Sequence, residues 1–181
     1  DGIYVDIKSL NELRRNACEA LESSICKKYK HSEPEFVALP EVSVSGNMKN
    51  KALNVRVRTI DQFNAVVGID GIERIYFDMG EDLSENLERA IKSAHEREIK
   101  LFAAFPRIYR ENTADIYAEL IAKLKNSLID GFLVTSVGLF DMVKGWGFDA
   151  AIDYNMNVFN NEAVEYYRHK GADSITMSVE M

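Results

Sequence analysis

From Ala52 onward the chain switches repeatedly between two hydrophobic periods, with short β-branched or aromatic runs followed by segments carrying apolar residues at helical spacing. The runs are 53–58 (LNVRVR), 73–78 (ERIYFD), 100–105 (KLFAAF), 131–136 (GFLVTS), 149–153 (DAAID) and 174–178 (SITMS). Helices are expected near 59–67, 83–98, 112–128, 137–145 and 160–170. Strands that alternate with helices through short connections run parallel, because a parallel neighbour needs a crossover. The fold class is therefore α/β. Six such units fit either most of a (β/α)8 barrel or an open doubly wound sheet. The strand starts are spaced compactly enough for barrel units, and no glycine-rich turn follows the first strand, so the expectation is alternating βα units in a partial or distorted TIM-type barrel.

The helix boundaries carry their own chemistry. Thr59-Ile60-Asp61-Gln62 is a capping-box pattern, Asp82 with Glu85 resembles one, and Asn112 and Asn160 are good N-cap types. Gly171 follows Arg168, His169 and Lys170, which combines a left-handed C-cap with cations at the negative end of a helix dipole. Ahead of the alternating region, residues 1–7 (DGIYVDI) read as a short strand. Ser9 begins a helix with Leu10, Leu13, Ala17, Leu21 and Ile25 on one face, and Cys18 beside that stripe reads as a small buried hydrophobe. From His31 to Lys51 the periodicity breaks into an extended connector. The organisation expected is an amino-terminal helix and connector over 1–51 and a βα-repeat barrel segment over 52–181. The start at Asp1 and the stop at Met181 are read as the ends of a piece cut from a longer parent.

Composition narrows the functional classes. At 181 residues and 46% hydrophobic the chain can bury a core, and 22 basic against 29 acidic side chains leave a formal charge of −7, which disfavours a broad footprint for nucleic-acid phosphates. Cys18 and Cys26 match neither a disulfide scaffold nor a metal-ligand spacing, which points to a reducing cytoplasm. No apolar run approaches the roughly 20 residues of a membrane span, and the stretch after Asp1 lacks the basic and apolar regions of a signal peptide, so neither membrane insertion nor secretion is expected. Self-association is expected through sheet edges that six strands leave open.

Dinucleotide, P-loop and nucleophile-elbow motifs are absent, and His95-Glu96 fails as a zinc helix because Ile99 stands where the second His belongs. His95 therefore reads as an exposed helix residue, and no metal site is expected. Parallel α/β folds bind ligands beyond the carboxyl ends of their strands, where this chain places Arg58 and Thr59, Asp78, Pro106 and Arg107, Thr135 and Ser136, the run from Asp153 to Asn157, and Ser178 with Glu180. Arg107, held by Pro106, offers a fixed fork for a carboxylate or phosphate, or pairs with Asp78 or Glu180. Asn157 and Asn160 either reach a ligand or tie the turn and cap the next helix. Asp153 and Glu180 are two carboxylates able to share a water.

That last cluster also carries a family resemblance. Residues 153–181 (DYNMNVFNNEAVEYYRHKGADSITMSVEM) resemble the segment D-Y-x-x-N-x-x-N … G-x-x-x-x-x-x-S-x-E-L of the collagenase-like peptidases of unknown catalytic type, peptidase family U32. FPRI (105–108) is similar to that family's L-P-R-I, and SLNELRRNACEALE (9–22) to the L-N-E-L-R-R helix before the second barrel segment of its long members. The departures are Val179 for Pro, Met181 for Leu and Phe105 for Leu.

The resemblance implies a TIM-barrel-like domain of a cytoplasmic bacterial protein described as a peptidase, a hydrolase acting on peptides. Other members serve RNA-base or quinone-ring hydroxylation, some with an iron–sulfur cluster whose cysteines follow S-x-E-L. Any such cluster then belongs to the parent beyond Met181, with no cofactor in this segment. The motif carries over to Arg107, Asn157, Asn160 and Ser178 as substrate-binding candidates and to Asp153 and Glu180 as catalytic ones. Proteolysis by this segment alone lacks a base beside a Ser or Cys and a ligand set for a metal-bound water. A non-catalytic structural or binding module is the third alternative. Peptides or small anions are the expected ligands.

Overall fold

The computed structural model describes residues 6–30 and 52–180. The chain divides into two units, one ending at Glu41 and the other beginning at Val42, and each is taken by itself. The connector 31–51 and the first five residues of the expected amino-terminal strand lie outside the described residues.

In the first unit, α1 (Ile7–Tyr29) starts two residues earlier than the apolar spacing suggests. Asp6 is its N-cap and accepts the Ser9 amide at 2.9 Å, so Asp6 and Ile7 open a helix instead of ending a strand. The Ser9 hydroxyl also donates to Asp6, and these bonds hold its carboxyl below the usual aspartate range. Cys18 is exposed, contrary to expectation, because α1 buries none of its side chains.

The second unit is a six-stranded parallel sheet in sequential order, with strands β1 (Leu53–Val57), β2 (Ile72–Asp78), β3 (Lys100–Ala104), β4 (Gly131–Val134), β5 (Asp149–Ile152) and β6 (Ser174–Ile175). Helices α2 (Ile60–Val66), α3 (Glu81–His95), α4 (Glu111–Lys125), α5 (Val137–Gly145) and α6 (Asn161–His169) follow the first five strands. Most strands stop short of the expected carboxyl end because the next residues are committed to turns and caps. Thr59 closes both bonds of its capping box with Gln62, Ser136 accepts the Leu139 amide, and Asn160 accepts that of Ala163.

Two expected caps are corrected. The N-cap of α3 is Gly80, and Asp82 sits inside the first turn, where Oδ2 accepts the Ile60 amide of α2 at 2.9 Å. Helix α4 begins at Glu111, which places Asn112 within it. Gly171, one residue past the Lys170 C-cap of α6, has the left-handed φ of 84° that this position favours, and Ala172 N–H bonds back to the Tyr167 carbonyl.

Alternate residues of each strand face opposite sides, and the two sides are packed differently. Ile75, Phe77, Leu101, Ala103, Phe132, Val134, Ala150 and Ile152 join Leu83, Leu87, Leu124, Phe140 and Val143 of the helices in the main core. Tyr76, Phe102, Ala104, Leu133 and Ala151 form a second cluster on the other face.

That second face is concave. Neighbouring strands lie about 4.8 Å apart, so a flat sheet would separate strands four places apart by about 19 Å, beyond an arginine's reach. Yet Arg56 of β1 touches Asp153 after β5 at 3.3 Å, and Arg74 of β2 touches Ser174 of β6 at 2.6 Å and Asp173 at 2.7 Å. Only a curled sheet brings these pairs together, and the unit is a half-barrel with its helices outside.

Arg74 is 5% exposed and lies 4.3 Å above the Phe102 ring. Burial opposes its charge, but Tyr76 and Asp173 outweigh burial and its pKa is raised. Phe102 in turn needs the missing side chain at Gly131, where a Cβ would sit 2.6 Å from Phe102 Cε1 and 2.5 Å from the Asp149 carbonyl oxygen. Gly131→Ala is expected to lose about 1–3 kcal/mol of stability through overpacking, read as a lower midpoint in urea unfolding with unchanged slope.

Candidate functional site

The register shows which residues reach the carboxyl-end mouth of the half-barrel. Arg56 pairs in register with Tyr76 on the concave face; Asp78 lies two residues beyond Tyr76, and Asp153 two beyond Ala151. The period of two puts all three side chains on one side. Arg56 Nε donates to Asp78 Oδ1 at 2.6 Å, and Nη1 donates to Asp153 Oδ2 at 3.3 Å. Asp153 is 4% exposed and fully engaged: Oδ1 accepts the Tyr154 amide at 2.8 Å and Oδ2 also accepts Asn155 Nδ2 at 3.0 Å. Its carboxylate caps a single 3-10 turn (Tyr154–Met156) that strand-and-helix periodicity did not announce.

The remaining candidates are distributed around this centre. Asn157 closes the turn in the left-handed conformation at φ of 51°, and Asn160 caps α6. Ser178 is buried; its amide donates to the Val158 carbonyl at 2.8 Å and its hydroxyl oxygen accepts the Glu180 amide at 3.4 Å. Glu180 is exposed, and among the described residues no hydrogen bond joins it to Asp153. Arg107 is exposed too, and neither Asp78 nor Glu180 pairs with it; Arg56 takes Asp78 instead. The loop bearing Arg107 is pinned by the Thr135 hydroxyl, which donates to the Pro106 carbonyl at 3.1 Å.

Beside the Arg56 cluster, at the carboxyl ends of β1, β2 and β3, lies a cavity of about 310 Å³. Arg58, Asp78, Glu81, Asp82, Pro106 and Tyr117 are among the residues that line it. The capping box fixes the Arg58 backbone, whose amide donates to Gln62 Oε1 at 2.8 Å. Tyr117 stacks obliquely on Tyr109, whose phenol is lifted above its ordinary pKa by burial, with Asp115 and Tyr117 adding to the effect. A larger groove of about 1260 Å³ runs between α3 and α4 on the outer surface. His95 lines it and bonds Asp130 at 2.8 Å, at the opposite end of the strands from the mouth.

An iron–sulfur cluster is held by cysteine thiolates, typically four. The chain has two cysteines, both exposed on α1, and the described residues contain no group of three His, Cys, Asp or Glu able to hold a metal. These residues do not fit such a cluster.

A parallel half-barrel with its polar cluster at the carboxyl ends of the strands defines the class of protein. The sequence model of peptidase family U32 matches residues 77–181, and the chain belongs to that family. No curated protein matches it. Among solved structures it is similar to the 3-dehydroquinate dehydratase from Aquifex aeolicus VF5, at 14% identity and a TM-score of 0.47, over 70% of this chain and 67% of that one. No described helix is long and apolar enough to cross a membrane.

Arg56 lies within β1, not among the residues beyond the strand ends. Its signal was the alternation Asn54, Arg56, Arg58 against Val55 and Val57, a polar face opposite an apolar one. Arg56→Ala is expected to cost about 1–3 kcal/mol by leaving a buried carboxylate short of a partner. Arg107→Ala should stay within about 0.5 kcal/mol. Urea unfolding of the two variants side by side measures the difference.

Proposed function

We propose that this half-barrel serves its family as a ligand-holding segment and does not itself cleave peptide bonds. Hydrolysis needs an activated nucleophile or a metal-bound water. The observation that carries the reading is the state of Asp153, whose two oxygens are spent on Arg56, Asn155 and the Tyr154 amide. The strand-end hydroxyls are similarly committed: Thr135 to the Pro106 carbonyl, Ser136 to a helix cap and Ser178 to the Glu180 amide. Arg58, by contrast, is an exposed arginine among the residues lining the cavity, with no ion pair to another described residue. A peptide or a small charged molecule is the ligand class this favours, with the bond-breaking machinery supplied outside these residues.

The full chain incubated with gelatin or an internally quenched peptide should release no product above buffer, and Asp153→Asn and Glu180→Gln should leave that unchanged. Cleavage by the wild-type chain that Glu180→Gln abolishes would overturn the reading.

A further inference from the structure

Resting on that ligand-holding reading, we propose that the cavity at the carboxyl ends of β1, β2 and β3 takes a small zwitterion. The ligand carries an ammonium and a carboxylate a few bonds apart, as a free amino acid or a dipeptide does.

The argument starts from the charges that line the cavity. Arg58 is exposed, has no ion pair with another described residue, and rises from a backbone held by Gln62. The acids are in three different states. Asp78 gives Oδ1 to Arg56, Asp82 gives Oδ2 to the Ile60 amide, and Glu81 has no bond to a described side chain. One free guanidinium therefore shares about 310 Å³ with one free carboxylate and two partly occupied ones.

That balance selects a ligand. A dianion meets Glu81 and Asp82 and is repelled, while a simple amine meets Arg58. A molecule with both charges satisfies both sides, its carboxylate on the Arg58 fork and its ammonium on Glu81 and the open side of Asp78. The α3 amides point the same way, since Gly80 provides no side-chain cap and leaves first-turn N–H groups available to a carboxylate. The cavity of about 310 Å³ has room for a free amino acid or a dipeptide.

Glycine, glycylglycine, N-acetyl-glycylglycine, glycylglycinamide and inorganic phosphate, each titrated against the full chain in a thermal-unfolding assay, test this. Glycine, glycylglycine or both should raise Tm by about 2–4 °C at about five times Kd, and which one does so separates an amino-acid ligand from a dipeptide. The acetylated and amidated forms, each lacking one charge, and phosphate should produce no shift. Arg58→Gln and Glu81→Gln should each abolish the response, and Lys92→Ala, on the outer surface, should keep it. Both cavity residues are exposed, and a circular-dichroism spectrum verifies that each variant folds. Equal shifts from the blocked peptides, or a response to phosphate that Arg58→Gln removes, would overturn the zwitterion assignment while leaving the ligand-holding reading in place. No shift with either glycine or glycylglycine would overturn it as well, whereas peptide cleavage by the chain would remove the underlying reading instead.

Discussion

Two arginines cross the inside of the curled sheet, and the shape of the unit can be read from them. Arg56 joins β1 to the end of β5, and Arg74 joins β2 to the start of β6. A guanidinium is planar, permanently charged and weakly hydrated, which suits it to spanning an interior between carboxylates. The tie at the amino end is deeply buried and rests on a ring, Phe102, that itself occupies the space left by Gly131. The tie at the carboxyl end is about one-third exposed on its arginine, so the same device that holds the curl also forms part of the mouth.

Sharing one residue between structure and site limits the site's chemistry. Asp153 caps a turn and receives Arg56 and Asn155, and Asp78 gives one oxygen to the same guanidinium. The unspent charges are displaced towards α2 and α3, at Arg58 and Glu81. Within the segment that matches peptidase family U32, Asp153 and Ser178 are buried and hydrogen-bonded, and they shape the carboxyl ends of the strands.

Individual residues show where the amino-acid order was legible. The capping box at Thr59 and the cap at Asn160 act over three residues, so they could be read directly and hold in the fold. Asp82 misled because its partner is the Ile60 amide, 22 positions away, and no local pattern carries that information. Cys18 misled for a related reason: an apolar stripe says that a helix can be buried, not that anything covers it. Arg107 was open to two readings, a fork for a ligand or a partner for Asp78 or Glu180, and it is the second that fails, because the guanidinium that reaches Asp78 belongs to Arg56, inside β1.

The sequence by itself determined the α/β class, the six strands, their parallel direction, and most helix boundaries, because these follow from hydrophobic period and from hydrogen bonds made within a few residues. The curl, the two cross-barrel ties and the division of carboxylates into spent and free were decided only by tertiary structure. Those depend on pairs about a hundred positions apart, Arg56 with Asp153 and Arg74 with Asp173, which meet only after the sheet has bent. Local spacing placed polar residues at the strand ends; the bending chose which of them would neutralise one another and which would stay unpaired.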